Sequence, residues 1–300
     1  MESKIPKFLS SGSLIGIVSP SGPVDEVLIE TGKSYLESKG FRVVVGANAF
    51  NKNGYFAGSD QERLHDLQIM LDDHEVDAIW CARGGYGLIR IVDKLDFTEF
   101  EISPKWVVGF SDITVLHAAI QRFTGMCSIH GAMIKSLVFP ETSDAVEVLS
   151  LLEGKSLTYK LLHNSLNRCG NAVGPLVGGN LALLYALRGT PFEFNYDGAV
   201  LFIEDIGEYH YQIDRMMQSL KLGGVLKNLQ GLIVGQFSDV KENTTSFGQS
   251  VEEIITSCVA DYNYPVCFGF DAGHEYPNHP LILGKTISLI VSNLQTEITI

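Results

Sequence analysis

Short apolar runs and longer stretches at helical spacing alternate through the first half of the chain. Leu14–Val18 is an apolar run stopped by Ser19-Pro20-Ser21-Gly22-Pro23, and a helical stretch from Val24 to Lys39 ends at Gly40. Phe41–Val45 is short and β-branched, which predicts a second strand. Ser59 stands three residues before Glu62, the spacing of a capping box, and Leu64, Leu67 and Leu71 then fall on one helix face. Asp77–Cys81 reads as a third strand and runs into Arg83-Gly84-Gly85-Tyr86-Gly87, with a further helix expected through Leu88, Ile89, Val92 and Leu95. Lys105–Phe110 is a fourth strand, and Asp112–Phe123 is again helical. Strands separated by helices of this length predict a parallel sheet with right-handed crossovers.

The pattern weakens past Pro140, and segment 155–172 has mixed polarity without a clear period. The domain boundary is placed there, giving domains 1–165 and 166–300. In the second part, the glycine-rich Gly174–Gly179 leads into an apolar helix, Asn180–Leu187. Ala199–Ile203 and Leu232–Val234 read as buried strands, and Tyr209–Leu220 carries Ile213, Met216, Met217 and Leu220 at helical spacing. Ile287–Val291 and Glu297–Ile300 read as closing strands, so this domain is expected to be β-rich.

Composition narrows the classes of function. The 300 residues are 45% hydrophobic and 19% charged, which is globular rather than disordered. A formal charge of −13 argues against a partner that presents a phosphate backbone, so no nucleic acid is expected. No window approaches the ~18 apolar residues of a membrane span, and the opening MESKIPKFLSSGSLIGIV does not read as a signal peptide. The five cysteines lie far apart with no C-x-x-C, as expected of thiols in a reducing, cytoplasmic compartment. No H-E-x-x-H or Cys/His cluster suggests zinc, and neither a metal nor a cofactor is expected.

Four places could carry chemistry. In Val107-Val108-Gly109-Phe110-Ser111-Asp112 a buried strand meets a helix with one serine at the junction, the arrangement of a nucleophile elbow. Ser111 reads there either as a nucleophile, with the Asp112 amide as an oxyanion donor, or as a helix N-cap. Gly84 and Gly85 follow a strand, where glycines let backbone amides approach a ligand. They could hold a phosphate, supply a second oxyanion amide, or only make a turn. Glu204-Asp205 ends an apolar strand and could bind metal, orient a histidine, or be solvated. His274 follows Gly273 in what reads as an exposed loop, with His130 and His210 as its rivals. In chain order the sequence thus offers Ser111, Glu204 and His274, each expected just past an apolar strand, and Ser…acid…His is one known order of a catalytic triad.

These motifs, with Gly16-Ile17-Val18-Ser19-Pro20-Ser21-Gly22, Ala57-Gly58-Ser59-Asp60, Gly178-Gly179-Asn180-Leu181 and Ile213-Asp214-Arg215-Met216, resemble the LD-carboxypeptidase family of serine peptidases over nearly the whole chain. That family is also known as the muramoyltetrapeptide carboxypeptidases and includes the microcin C immunity proteins. The resemblance implies an α/β fold: a flavodoxin-like, parallel-sheet N-terminal domain, a β-rich C-terminal domain, and a homodimer. It implies Ser111 as nucleophile, Glu204 as orienting carboxylate and His274 as general base, a triad drawn from both domains. The substrate it implies is a small peptide, the murein tetrapeptide, cut before its terminal D-alanine in cytoplasmic cell-wall recycling. A peptidyl-nucleotide antibiotic is the rival substrate, and a non-catalytic ligand-binding module is the rival of another class. A carboxypeptidase must also pair its substrate's free carboxylate, for which Arg83 is a candidate; its other reading is an anchor for the glycine turn.

Overall fold

A computed structural model describes residues 4–138 and 143–300. The chain runs β1 (Leu14–Val18), α1 (Glu26–Ser38), β2 (Arg42–Val45), α2 (Asp60–Asp72), β3 (Val76–Cys81), α3 (Thr98–Ile102), β4 (Trp106–Gly109), α4 (Thr114–Thr124), β5 (Ser128–His130) and α5 (Ser143–Leu152). It continues through β6 (Thr158–Leu162), β7 (Gly170–Asn180), α6 (Leu181–Ala186), β8 (Val200–Ile206), α7 (His210–Leu222), β9 (Gly231–Ser238), α8 (Val251–Cys258) and β10 (Val266–Phe268). Three strands close it: β11 (Leu281–Leu283), β12 (Thr286–Val291) and β13 (Gln295–Thr299). No helix of the described residues is long and apolar enough to cross a membrane.

Two compact units result, Met1–Ser156 with His279–Ile282, and Leu157–Asn278 with Leu283–Ile300. The break thus falls ahead of the 165/166 division expected from sequence. The stretch between them carries β6, which pairs antiparallel with β13. Only Tyr159 of that strand is buried, so its apolar signal is weak.

The sheet of the first unit has the order β11-β5-β4-β3-β1-β2. Its first five strands run in the flavodoxin-like order 2-1-3-4-5, with parallel pairing throughout. Strands buried on both faces read as continuous apolar runs, which is why Leu14–Val18 and Trp106–Gly109 are visible in the sequence. Register brings the C-terminal ends together: Val18 pairs with Cys81, Trp80 with Val108, and Gly109 with His130. The loops after β1, β3 and β4 therefore emerge side by side, on the edge where α/β folds bind ligands. α2 opens on the expected capping box, Glu62 N–H donating to Ser59 Oγ at 3.2 Å and Ser59 N–H to Glu62 Oε2 at 2.7 Å. Its other end is closed by the buried Lys105, whose Nζ donates to the carbonyls of Met70, Leu71 and Asp73.

One expectation fails in this unit. Residues 88–95 form two 3₁₀ turns, Leu88–Arg90 and Val92–Lys94, rather than a helix. Leu88 and Ile91, three residues apart, point inward together, which suits the tighter winding.

The second unit holds a seven-stranded sheet, β10-β9-β8-β7-β12-β13-β6. Its β10, β9, β8 and β7 are parallel, with α6, α7 and α8 in their connections, and its β7, β12, β13 and β6 are antiparallel. β7 joins the two halves. Gly170–Pro175 pairs with β12, and Leu176–Asn180 with β8. The glycines that hid this strand from sequence reading let backbones approach: Gly178 has φ +131°, and any Cβ there would strike the Phe202 carbonyl.

Candidate active site

Ser111 stands where β4 ends, in a 3₁₀ turn that precedes α4. Its φ is +65°, one of only two positive values at non-glycine residues among the described ones. Such a backbone costs of order 1–3 kcal/mol and concentrates at functional sites. The N-cap position of α4 is Ile113, so Ser111 does not occupy the capping place that was its alternative reading. Beside it lies the loop after β3. A Cβ on Gly84 would sit 2.9 Å from Ser111 Cβ and 3.1 Å from its Oγ, so only glycine lets this backbone reach the serine. Gly22 N–H donates to the Gly84 carbonyl at 3.0 Å, tying in the loop after β1.

Arg83 is exposed, and its Nη1 donates to the Pro23 carbonyl at 2.7 Å. This bond ties the exposed Arg83 to the loop after β1. Asp112 is fully buried and accepts from Ser21 Oγ and from the Leu88 amide. Burial pushes its carboxyl above the usual carboxylate range, against those hydrogen bonds. His117, also buried, donates from Nε2 to the Gly109 carbonyl at 2.8 Å. Burial pushes it down to about 4, so it is neutral and serves the strand that carries Ser111.

In the second unit, Glu204 and Asp205 lie inside β8 rather than past its end, and neither is solvated, with exposures of 0% and 2%. Successive strand side chains point to opposite faces, so the two carboxylates separate. Glu204 Oε2 meets His274 Nδ1 at 2.8 Å, while its Oε1 makes no hydrogen bond among the described residues. A carboxylate can only accept from this nitrogen, which leaves Nε2 of a neutral imidazole as an acceptor. Asp205 accepts instead from Asn180 Nδ2, the Ala182 amide and its neighbour's amide at Ile206, at 2.8–2.9 Å. Burial first, and then the charge of Glu204, push Asp205 up to about 7. Among the described residues no group of three His, Cys, Asp or Glu is placed to hold a metal ion.

The loop bearing His274 is fixed by residues that sequence reading missed. Gly273 N–H donates to Asn278 Oδ1 at 3.0 Å, and Glu275 N–H to Gln236 Oε1 at 2.9 Å. Gln236 Nε2 in turn donates to the Pro277 carbonyl at 2.9 Å. A Cβ on Gly273 (φ +149°) would lie 3.3 Å from Glu204 Oε2 and 2.9 Å from Gln236 Cβ, so glycine here lets the histidine come down onto its carboxylate. Of the rival histidines, His130 is buried in β5, and His210 opens α7 with its ring at the Lys241 carbonyl.

Both halves of the chain match models of one known family. The model of the LD-carboxypeptidase N-terminal domain matches residues 15–131, and that of the C-terminal domain matches residues 173–289. The chain belongs to the LD-carboxypeptidase family. The N-terminal match spans Gly84 and Ser111, and the C-terminal match spans Glu204 and His274. Among LD-carboxypeptidase relatives, a probable murein peptide carboxypeptidase of Bacillus subtilis is 38% identical over 95% of this chain and 91% of its own length. The microcin C7 self-immunity protein of Escherichia coli is 26% identical over 97% of this chain and 94% of its own. The crystal structure of a muramoyltetrapeptide carboxypeptidase from Oxalobacter formigenes superposes with a TM-score of 0.86 at 27% identity, covering 95% of this chain and 98% of that one. The LD-carboxypeptidase family is one of serine-type carboxypeptidases, and its two-domain architecture is the one described above.

Proposed function

We propose that the protein is a serine carboxypeptidase that hydrolyses the L,D-peptide bond before the terminal D-alanine of murein tetrapeptide, through a Ser111–Glu204–His274 triad. The hydrogen bond from His274 Nδ1 to the buried Glu204 Oε2, 2.8 Å long, carries this reading. It fixes the tautomer in which Nε2 can take a proton. In the first step His274 Nε2 accepts the Ser111 hydroxyl proton as Oγ attacks the scissile carbonyl. Glu204 stabilises the imidazolium so formed. The Asp112 amide, with that of Gly84 or Gly85, receives the oxyanion. His274 then returns the proton to the leaving amine of D-alanine. Water, deprotonated by the same imidazole, attacks the acyl-serine and releases the shortened peptide. No cofactor enters these steps. Arg83 is the candidate to pair the substrate's free carboxylate, through guanidinium N–H groups other than the one on Pro23. The enzyme is read as a cytoplasmic homodimer acting in cell-wall recycling, with small peptides as its partners.

The similarity to the microcin C7 self-immunity protein supports a second reading, cleavage of a microcin C-like peptidyl-nucleotide. Incubation with murein tetrapeptide and, separately, with such a peptidyl-nucleotide decides between them. Release of D-alanine is expected from the first, with little turnover of the second. The reverse pattern selects the immunity peptidase, and cleavage of neither selects the non-catalytic binding module.

A further inference from the structure

The side chain of Asp112 has no part in the chemistry set out above, yet it occupies the point where three loops of the first unit meet. It is fully buried, in the residue next to Ser111. Its Oδ2 accepts from Ser21 Oγ at 2.6 Å, in the loop after β1, and from the Leu88 amide at 2.9 Å, just past the glycine loop after β3. Its Oδ1 is buried and makes no hydrogen bond among the described residues. The loops it joins are those on which the proposed reaction depends. One bears Gly84 and Gly85, one bears Ser111 in its strained backbone, and the third holds Gly84 in place through the Gly22 amide. The guanidinium of the buried Arg63 ties the same region from behind, donating to the Pro20 carbonyl at 2.6 Å.

We infer that the Asp112 carboxyl is a positioning residue that, by accepting two hydrogen bonds on one oxygen, holds the Ser111 turn in register with the glycine loop that completes the oxyanion hole. The inference rests on Ser111 being the nucleophile. What the geometry uses is an acceptor at Oδ2, not a charge. An ionised carboxylate would leave Oδ1 bare in a buried place, and burial already disfavours that form. Asparagine supplies the same acceptor without a charge, its NH₂ standing in for the protonated oxygen of the neutral acid that burial favours, whereas alanine leaves two donors unpaired and the turn unfastened.

Steady-state kinetics of D-alanine release from murein tetrapeptide by Asp112→Ala, Asp112→Asn, Ser21→Ala and Ser111→Ala, each checked for folding by circular dichroism and thermal unfolding, test the assignment. Loosening the attack geometry by about an ångström costs on the order of 100-fold. Asp112→Ala should therefore lose roughly that factor in kcat, with KM within about two-fold, and Asp112→Asn should recover to within about five-fold of the wild type. Ser21→Ala removes one of the two donors and should lose roughly 5- to 10-fold in kcat. A folded Asp112→Ala with near-normal kcat overturns the inference. So does Asp112→Asn being as impaired as Asp112→Ala, or a loss confined to KM. If neither Asp112 variant folds, Ser21→Ala decides, and an unchanged kcat there overturns it. Should Ser111→Ala keep its activity, the nucleophile assignment falls and takes this inference with it; a dead Ser111→Ala beside a normal Asp112→Ala defeats the positioning role alone.

Discussion

Replacing Glu204 by glutamine perturbs the proposed proton relay at one atom. The wild-type carboxylate is wholly buried and meets His274 Nδ1 at 2.8 Å through Oε2, with no hydrogen bond to Oε1 among the described residues. Glutamine fits the same space. If its carbonyl faces Nδ1, the hydrogen bond survives but the charge that stabilises the imidazolium is gone. If its NH₂ faces Nδ1, the ring takes the other tautomer and Nε2 carries a proton when it should accept one. The corresponding aspartate-to-asparagine change in a serine protease lowers kcat about 10⁴-fold. Losing the charge alone, from a buried carboxylate, accounts for on the order of 10²-fold. The expected loss is therefore roughly 10²- to 10⁴-fold in kcat, or about 3–5 kcal/mol of transition-state stabilisation, with KM little changed. Asp205→Asn is the control, because Asp205 faces away toward Asn180 and the start of α6. Steady-state assays of D-alanine release on both variants decide the matter. A Glu204→Gln enzyme within three-fold of wild type refutes the role of Glu204, and an inactive Asp205→Asn beside an active Glu204→Gln moves the acid by one residue.

Gly84→Ala should lower kcat at least 10-fold, because the added methyl would lie 2.9 Å from Ser111 Cβ and drive the two loops apart; kinetics beside a thermal melt check it. Lys105→Met removes the donor to three carbonyls at the end of α2 and should cost about 2–4 kcal/mol in a urea titration. Asp205 predicts a pH effect on stability. Its folded-state pKa of about 7 exceeds the ordinary value of 3.8, so between those values the folded chain binds more protons than the unfolded one. Stability is then lost as pH rises from about 4 to 7, by up to about 4 kcal/mol. Asparagine does not titrate, so the stability gap between wild type and Asp205→Asn should shift in favour of the variant from pH 5 to pH 8. A gap that does not move with pH contradicts this assignment.

The first sheet was legible because strands covered on both faces are written as apolar runs, unbroken in β1 and β4 and interrupted only by Asp77 in β3. β5, β10 and β11 have three residues each, too few to show any period. β7 was hidden by the glycines and proline that let its neighbours come close. α8 carries legible signals of its own: Ser250 and Glu253 form the same capping box as Ser59 and Glu62, and Val251, Ile254, Ile255 and Cys258 repeat at helical spacing. At the site, Ser111, Glu204 and His274 were recognisable as candidates because each adjoins an apolar run and a motif. The residues that hold their surroundings were not. Ser21 lies 91 positions from Asp112, and Gln236 lies 39 from Glu275. Neither pairing leaves a trace in local spacing. The acidic pair looks like the end of a strand because carboxylates rarely lie inside one, and the half-buried imidazole that explains Glu204 is 70 residues away.

The central claim is that Ser111 is the nucleophile. Treatment with a serine-reactive phosphonate, followed by peptide mapping, tests it most directly. The account predicts one covalent adduct on Ser111, formed in step with loss of D-alanine release, slowed by murein tetrapeptide, and absent from Ser111→Ala and His274→Ala. Loss of activity with the adduct on another residue, or a Ser111→Ala protein that still releases D-alanine, would contradict it.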